Sequence, residues 1–308
     1  MAPQPKRRPI MVVLAGVTGA GKTTFTSVAS DREDLGIGDG LDPCTQDPQA
    51  VQLTVAGRSV ILIDTPGFDD KDRSDMEILE DIGKWLSKQG FTKHLDGLIL
   101  LHPITQDFDS TLEKRRTRLL EKILGKNAYK RVAVATTMWG SLVSEKEVES
   151  DIRRRWGETG VWDDFRQGGA TLTKHFNNKE SAHRIIQIII DRSDEAKGAG
   201  VLLQEELARK GARFTDTSLG RELETILEDD ICVIQDLLLE HRCERPPESY
   251  RKSQNSWERW KWCQWEEEYN ELTKNLELRQ IQLRRLNSFI VLYSRSPNGK
   301  HSQSQCGI

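Results

Sequence analysis

The sequence predicts an α/β domain with a mostly parallel sheet and helices on both of its faces, followed by an all-helical region. Three observations predict this. Short apolar segments alternate with helical patterns, an apolar run leads into a glycine-rich turn within Ile10–Thr24, and strand patterns end near residue 200 while helical spacing continues. The predicted parts are a flexible N-terminus at 1–9, the α/β domain at 10–193, helices at 201–289 and a disordered tail at 290–308.

The turn after the first predicted strand has the spacing G-x-x-x-x-G-K-[ST], from Gly16 to Thr23. This spacing is typical of the phosphate-binding loop (P-loop), whose backbone N–H groups surround a phosphate chain while its lysine, here Lys22, reaches the β- and γ-phosphates. The Thr23 hydroxyl is placed to ligate Mg²⁺, and the following helix points its positive end at the anion. The predicted nucleotide-binding residues of this loop are Gly16, Val17, Thr18, Gly19, Ala20, Gly21, Lys22, Thr23 and Thr24.

A second motif, Asp64-Thr65-Pro66-Gly67, ends a later apolar strand. An aspartate in this place can hold a metal-bound water, and the Gly67 N–H can sense a γ-phosphate. Asp, Pro and Gly also make ordinary turns, so the motif is specific because of its context, 42 residues after Lys22 and behind an apolar strand. Asp64 is therefore predicted to join Thr23 as a magnesium ligand, with Lys22 and Gly67 as catalytic residues.

The remaining elements of the domain follow from periodicity and punctuation. A hairpin is predicted from strands at 50–55 and 59–64, and Ser110 with Glu113 predicts a capping box at the start of a basic helix. The other predicted strands are 95–101, 131–137 and 169–176, and the predicted helices are 73–86, 111–124, 145–156 and 180–192. Residues 193–200 are interpreted as a small, polar linker.

The C-terminal helices, predicted at 201–210, 218–242 and 256–289, carry apolar stripes. The stripe of the second helix contains Leu219, Leu223, Ile226, Val233 and Leu237 and is broken by Asp230. The stripe of the third contains Trp262, Trp265, Tyr269, Leu272, Leu276, Leu283 and Leu286 and is broken by Arg279. Such stripes predict helix packing, against the α/β domain or another copy of the chain.

Composition excludes several classes of function. A net charge of −3 provides no general attraction for nucleic acid, and acidic residues near the clustered tryptophans argue against docking on an anionic membrane. There is no pattern of a signal peptide and no apolar run long enough to cross a bilayer. The five cysteines are scattered without a C-x-x-C pair, which predicts free thiols, no zinc site and a cytoplasmic protein.

The first 193 residues resemble the septin-related GTPases of the immunity-associated, avirulence-induced type, particularly their fungal relatives. The resemblance rests on Gly16 to Thr23, on Asp64 to Gly67, on Thr136-Thr137-Met138-Trp139 after a buried strand, and on Glu180-Ser181-Ala182. It covers about three fifths of the chain. It implies a P-loop G domain that binds GTP or GDP with Mg²⁺ and associates into homodimers or homo-oligomers.

The resemblance also gives a role to one threonine in a loose loop. Thr45 lies where the family has the switch threonine that joins the Mg²⁺ shell when the γ-phosphate is present. The resemblance therefore implies that Thr45 is both a metal ligand and a catalytic residue.

Base recognition is where the sequence departs from common GTPase patterns. Aligned on the strand that ends at Thr137, the guanine-reading N-K-x-D motif coincides with residues 137–140, and Gly140 stands where its aspartate would be. Thr137 and Trp139 are predicted to contact the nucleotide, with weakened guanine selectivity. Backbone N–H groups near Phe176 to Asn178 are further candidates for meeting the base.

Three functions stay open at this point. The first is a GTP-binding switch with slow or partner-stimulated hydrolysis, since Phe68 occupies the place where many switch GTPases have a water-orienting glutamine. Asp69, Asp70 and His102 are candidates to replace it, as is Arg115 or Arg116 reaching across from a second subunit. The second is a nucleotide-dependent scaffold with little turnover, and the third is an ATP-using P-loop kinase or ATPase.

Overall fold

The computed structural model describes residues 7–32, 49–65, 67, 94–105, 110–140, 144–196, 200–209 and 213–288. The chain divides into two compact units, Met1–Glu205 and Glu206–Ile308. The predicted helix at 73–86 lies outside the described residues.

The first unit contains a six-stranded sheet in the order β2-β3-β1-β4-β5-β6. Its strands are β1 (Ile10–Ala15), β2 (Gln49–Val55), β3 (Arg58–Asp64), β4 (Gly97–Pro103), β5 (Val132–Thr137) and β6 (Thr171–Lys174). Every neighbouring pair is parallel except β2 and β3, which form an antiparallel hairpin at one edge. The hairpin turns at Ala56 and Gly57, whose φ angles of 45° and 77° are those of a tight two-residue turn. The predicted α/β fold and its hairpin are confirmed.

Five α-helices lie entirely within the described part of this unit: α1 (Lys22–Ser30), α2 (Ser110–Leu124), α3 (Glu145–Trp156), α4 (Asp163–Gln167) and α5 (Lys179–Glu195). Because side chains alternate along a strand, the sheet buries apolar residues on two faces. Val12 and Leu14 belong to one core with Phe25 of α1 and Ile185 and Ile189 of α5. A layered arrangement of this kind brings the carboxyl ends of the parallel strands to one edge, where ligands bind in open α/β sheets.

The last helix of the sheet domain extends beyond residue 193, where the linker was predicted to begin. Helix α5 continues to Glu195, and Ser193 is buried, with its hydroxyl donating to Asp96 Oδ1 at 2.7 Å. Asp96 also accepts from the Met11 N–H at 2.8 Å and pairs with Arg8 at 2.7 Å. Composition indicated a linker because Ser193 begins a small, polar stretch, whereas the buried aspartate supplies the partner that keeps it in the helix.

The helical region contains α6 (Leu202–Leu207), α7 (Ser218–Cys243) and α8 (Ser256–Ser288). Helices α7 and α8 pack as an antiparallel hairpin, in which the Trp265 indole N–H donates to the His241 carbonyl oxygen at 2.9 Å. The tryptophan-rich stripe of α8 lies on the inner face: Trp262 and Leu286 are buried, and its other members are half-buried. The two charges that interrupt the stripes face each other, with Arg279 Nε 3.4 Å from Asp230 Oδ2.

The predicted stripe of α7 is correct in its first half and wrong in its second. Leu219 and Leu223 are buried, but Val233 and Leu237 are 58% and 43% exposed. After Asp230 the inward positions are instead Ile234, Leu238 and His241. A straight α-helix repeats every 3.6 residues, so a seven-residue spacing drifts off the buried face. None of the helices in the described part of the chain is long and apolar enough to span a bilayer.

Candidate nucleotide-binding site

The glycine-rich turn follows β1 directly and opens helix α1, as the spacing predicts. Gly16, Gly19 and Gly21 have φ angles of 151°, 77° and 90°, which residues other than glycine rarely adopt. Gly16 also lies tightly against β4, since a Cβ there would come within 2.4 Å of the Leu101 carbonyl oxygen. The glycine-rich turn thus leads into the first turn of α1, where backbone N–H groups and the helix dipole favour an anion.

Lys22 is held inside this loop. Its side chain is 7% exposed, and Nζ donates to the Gly16 and Val17 carbonyl oxygens at 3.0 and 2.9 Å. These contacts place the ammonium group along the loop backbone and fix its direction. The same group is therefore available to a phosphate chain that the loop surrounds.

Thr23 and Asp64 come together at the mouth of the loop. Strands β1 and β3 are parallel neighbours with Leu14 opposite Asp64, so the end of β3 lies beside the start of the P-loop. The Thr23 hydroxyl donates to Asp64 Oδ2 at 2.8 Å, and the Asp64 residue is 3% exposed. Two oxygen groups that suit Mg²⁺ thus meet from motifs that are 41 residues apart.

Gly67 touches the phosphate loop from the other side. A Cβ at Gly67 would lie 2.5 Å from the Thr18 backbone nitrogen, which leaves space for glycine alone. Thr65 anchors the same segment because its hydroxyl donates to the Leu14 carbonyl oxygen at 2.7 Å. The two phosphate-site motifs predicted from the sequence are therefore in direct contact.

The carboxyl end of β5 reaches the same loop. The Thr137 hydroxyl donates to the Ala20 carbonyl oxygen at 3.1 Å, which joins the predicted base-recognition segment to the P-loop. The Trp139 indole N–H donates to the Thr136 carbonyl oxygen at 3.1 Å, and the Lys174 ammonium lies 3.9 Å from the centre of the indole ring. One face of Trp139 is thus covered by a cation, and a base that stacks on this ring would use the opposite face.

The segment after β6 offers fewer free donors than the sequence indicated. The Phe176 N–H donates to Ser181 Oγ at 3.1 Å, and the Asn178 side chain accepts from the Ser181 N–H at 2.9 Å as the cap of α5. Phe176 is therefore engaged within the loop. Gly140 is exposed, and a Cβ added there would meet nothing within 4 Å.

Several predicted residues lie outside the described part of the chain: Thr45, Phe68, Asp69 and Asp70. Thr24 is half-buried in the first turn of α1. Arg116, one of the two arginines considered for reaching a second subunit, is 7% exposed and lines a small pocket. That burial places it inside the domain.

A buried polar cluster beside the loop was not predicted from the sequence. Arg155 of α3 is fully buried and contacts His102 of β4 and Glu113 of α2. The sequence contains one signal for it: Val148, Ile152 and Arg155 follow one another by four and three residues, the spacing of a buried helix face. Glu113, assigned to a capping box from its spacing, accepts from Arg155.

Two buried histidines have pKa values far below the ordinary range. Burial, with the nearby Arg155 charge, lowers the pKa of His102 to about 3, and burial lowers the pKa of His175 to about 4. Because an arginine can only donate, His102 Nε2 must accept from Arg155 Nη1 across their 2.8 Å contact. Its proton is then on Nδ1, on the side of Glu113.

The low pKa of His175 predicts a pH dependence of stability. The unfolded chain binds a proton at this histidine near pH 6.5, whereas the folded chain does so near pH 4, so its contribution is complete above pH 6.5 and is lost as the pH falls. At pH 5 the loss is about 2 kcal/mol. Burial raises the pKa of Glu113 and of Glu121 to about 7, which acts in the opposite direction.

The difference in the free energy of unfolding between the wild type and His175→Gln measures the contribution of this histidine. Urea unfolding between pH 7.5 and 4.5 should show the two free energies of unfolding converging as the pH falls. Parallel curves would contradict the prediction.

The comparison with protein families agrees with this geometry. The family described as 50S ribosome-binding GTPase matches residues 11–137, which include both phosphate motifs and β5. Residues 11–137 therefore match the G domain of P-loop GTPases. The G domain of this chain therefore combines the predicted sheet with both phosphate motifs at one edge.

Many solved structures are also similar to the chain. The structure of Toc33 from Arabidopsis thaliana with GDP and Mg²⁺ is similar at 15% identity and a TM-score of 0.48, over 63% of this chain and 88% of that chain. Toc33 from the same plant with Mg²⁺ and GMPPNP has 14% identity and a TM-score of 0.47, over 62% and 86%. No curated protein matches the chain.

Proposed function

We propose that the protein binds GTP and GDP with Mg²⁺ and hydrolyses GTP slowly, as a nucleotide-dependent switch. The observation that carries this proposal is the 2.8 Å contact between Thr23 and Asp64 at the mouth of a P-loop that already orients Lys22. Each of these residues belongs to a motif whose spacing is specific for nucleoside triphosphates. Their convergence from separate strands supports a single Mg²⁺-nucleotide site.

The oxygen groups of Thr23 and Asp64 are suitable ligands for Mg²⁺. A hydroxyl and a carboxylate are hard oxygen ligands, and Mg²⁺ in nucleotide sites is commonly held by one or two protein groups together with phosphate oxygens and water. Among the described residues, no group of three or more His, Cys, Asp or Glu side chains could hold a metal ion, which is compatible with such a sparse site. Bound Mg²⁺ would neutralise charge on the β- and γ-phosphate oxygens. Thr45 is proposed as the further ligand in the triphosphate state.

Slow hydrolysis follows from Phe68, because an apolar ring cannot orient the attacking water. His102 was a candidate to replace the glutamine, but its Nε2 accepts from Arg155 inside the domain. Arg116 is buried, so Arg115 is the better of the two candidates for acting across a dimer. We therefore propose that hydrolysis is accelerated by self-association.

Selectivity for the base is proposed to be relaxed. Thr137, the last residue of β5, contacts the P-loop, and Gly140 after it lies in open space, without the carboxylate that reads two guanine donors. An ATP-using activity is the alternative that this leaves. Competition between GTP and ATP distinguishes the two.

A second candidate function is a nucleotide-dependent scaffold with little turnover. The observation that favours it is the α7–α8 hairpin, which exposes Val233, Leu237, Leu278 and Ile281 by 43–58%. Exposed apolar side chains on neighbouring helical turns suit association with a second copy of the chain. Homodimers or homo-oligomers are accordingly the proposed partners, rather than nucleic acid or a membrane.

Within the G domains, we place the chain in the septin-related, immunity-associated group. The support is the combination of Asp64-Thr65-Pro66-Gly67-Phe68 with Thr136-Thr137-Met138-Trp139. A cytoplasmic location is proposed with it, since the described cysteines Cys232, Cys243 and Cys263 are free and exposed.

A turnover assay tests this function and separates it from the scaffold. GTP hydrolysis with Mg²⁺ should be slow at low protein concentration, and its specific activity should rise over the range in which light scattering detects dimers. A specific activity that stays constant across dimer formation would contradict the self-association mechanism. Nucleotide binding with turnover no faster than the uncatalysed rate would leave the scaffold as the function.

A further inference from the structure

The Arg155 guanidinium is the most buried charge near the nucleotide site. The side chain is 0% exposed, and it comes from α3, in the segment inserted between β5 and β6. Its Nη1 donates to His102 Nε2 at 2.8 Å and to Glu113 Oε2 at 2.9 Å, while its Nε donates to Asp151 Oδ2 at 2.8 Å. One side chain thus joins α3 to α2 and to the end of β4.

A small cavity of about 30 Å³ lies between this cluster and the P-loop. Its lining includes His102, Glu113 and Trp162 on one side and the loop residues Gly16 and Val17 on the other. The Trp162 ring meets the His102 ring edge to face at 4.9 Å, which fixes the histidine from a second direction. The cluster therefore forms one wall of the space behind the phosphate loop.

The loop residues at this wall are the ones that hold the phosphate lysine. Lys22 Nζ donates to the carbonyl oxygens of Gly16 and Val17, and Gly16 rests on the Leu101 carbonyl oxygen, next to His102 in the chain. A displacement of His102 would move the support of Gly16 and with it the carbonyl groups that direct Lys22. A continuous series of contacts therefore joins Arg155 of the inserted segment to Lys22.

We propose that Arg155 is a positioning residue for the phosphate-binding loop, which couples the inserted helix α3 to the affinity of the nucleotide site. The inference rests on the proposed nucleotide binding and adds an element to it: the insertion sets how tightly the loop holds a bound phosphate chain. Arg155 does not touch the nucleotide itself. It acts through His102 and Glu113.

Titration of Glu113 gives this coupling a pH signature. Burial raises the pKa of Glu113 to about 7, and the charge of Arg155 opposes that rise. The other charged groups around Glu113 are Asp151, Arg116 and Arg154, and His102 stays neutral because burial lowers its pKa to about 3. Below pH 7 the carboxyl group becomes neutral and Arg155 loses an anionic partner. The loop should then release a bound nucleotide faster.

The test measures dissociation of N-methylanthraniloyl-GDP from the full-length protein at pH 8 and pH 6. At pH 8, Arg155→Met and Glu113→Gln should each raise the dissociation rate roughly tenfold, within the range known for residues that modulate coupling without touching a ligand. Arg153→Met is the matched control, since this arginine is two residues away on the same helix and its side chain is 77% exposed. It should dissociate the nucleotide at the wild-type rate.

The pH arm separates coupling from a general loss of stability. The terminal phosphate of the nucleotide also titrates near pH 6, but that effect is common to all variants. The wild type should show an additional acceleration between pH 8 and pH 6 that Glu113→Gln lacks, because the glutamine imitates the neutral acid. Arg155→Lys, which keeps the charge, should lie between the wild type and Arg155→Met.

Lower melting temperatures with wild-type dissociation rates and an unchanged pH profile would overturn the proposal, because they would show a structural role alone. Failure of the wild type to bind the labelled nucleotide would instead overturn the proposed function, and this inference with it.

Discussion

Replacement of Lys22 by alanine is expected to abolish nucleotide binding at micromolar concentrations. Lys22 is the P-loop side chain that we propose binds the β- and γ-phosphates, and its Nζ is oriented by the Gly16 and Val17 carbonyl oxygens at 3.0 and 2.9 Å. Removal of one partner of a desolvated charge pair costs about 3–5 kcal/mol, or roughly 10²–10⁴-fold in Kd. Alanine also suits the first turn of α1, so the domain should remain folded.

Titration with a fluorescent GTP analogue, with circular dichroism melting as the folding check, measures this effect. Lys126→Ala is a suitable control because that lysine is exposed on the same domain. Thr23→Ala should behave differently from Lys22→Ala: the affinity difference between Mg²⁺ and chelator should shrink, while the Mg²⁺-free affinity is retained. An affinity for the analogue unchanged by Lys22→Ala would remove the basis of the proposed function.

Substitution of Gly140 by aspartate is expected to raise the preference for GTP over ATP on the order of 10²-fold. A carboxylate at this place can accept hydrogen bonds from N1 and the 2-amino group of guanine, a pair of donors that adenine does not offer. A charged acceptor that reads two donors contributes a few kcal/mol of discrimination. The structure accommodates the change, because a Cβ at Gly140 meets nothing within 4 Å and the residue is exposed.

Competition of GTP and ATP against a labelled nucleotide measures this preference in the wild type, Gly140→Asp and Gly140→Ala. The alanine variant adds the same Cβ without the carboxylate, so its preference should equal that of the wild type. Equal preferences for all three proteins would show that Gly140 does not lie at the base. The specificity loop would then have to be sought elsewhere, beginning with the segment around Phe176.

Most of the fold could be predicted because its signals are local. The P-loop, the hairpin and helices such as α2 and α3 are specified by glycines, turn residues and apolar spacing within about 15 residues of each other, and the structure has them within a few residues of the predicted bounds. The second half of α7 could not be predicted in the same way. Val233 and Leu237 are apolar, but which face of a helix is buried depends on the partner helix, and the partner here is aligned through the Asp230–Arg279 pair.

In the candidate site, too, some features could be predicted from the sequence and others could not. Nothing in the sequence distinguishes Arg155 from Arg153 and Arg154 by residue type, and its helical spacing alone indicates the buried face. Burial of such a charge requires several acceptors: Asp151 lies one turn earlier on α3, but His102 and Glu113 come from β4 and α2. Only the folded chain brings those acceptors to one place.

The sequence by itself determined that the chain has a phosphate-loop strand, turn and helix, a second phosphate motif ending at Gly67, and a helical region that follows the sheet in the sequence. These features depend on backbone conformation and spacing, which short segments encode. The tertiary structure decided which distant groups meet: Thr23 with Asp64, Thr137 with Ala20, and Arg155 with His102 and Glu113. Such contacts depend on strand order and on the burial of charge, and both are properties of the whole sheet and its helices.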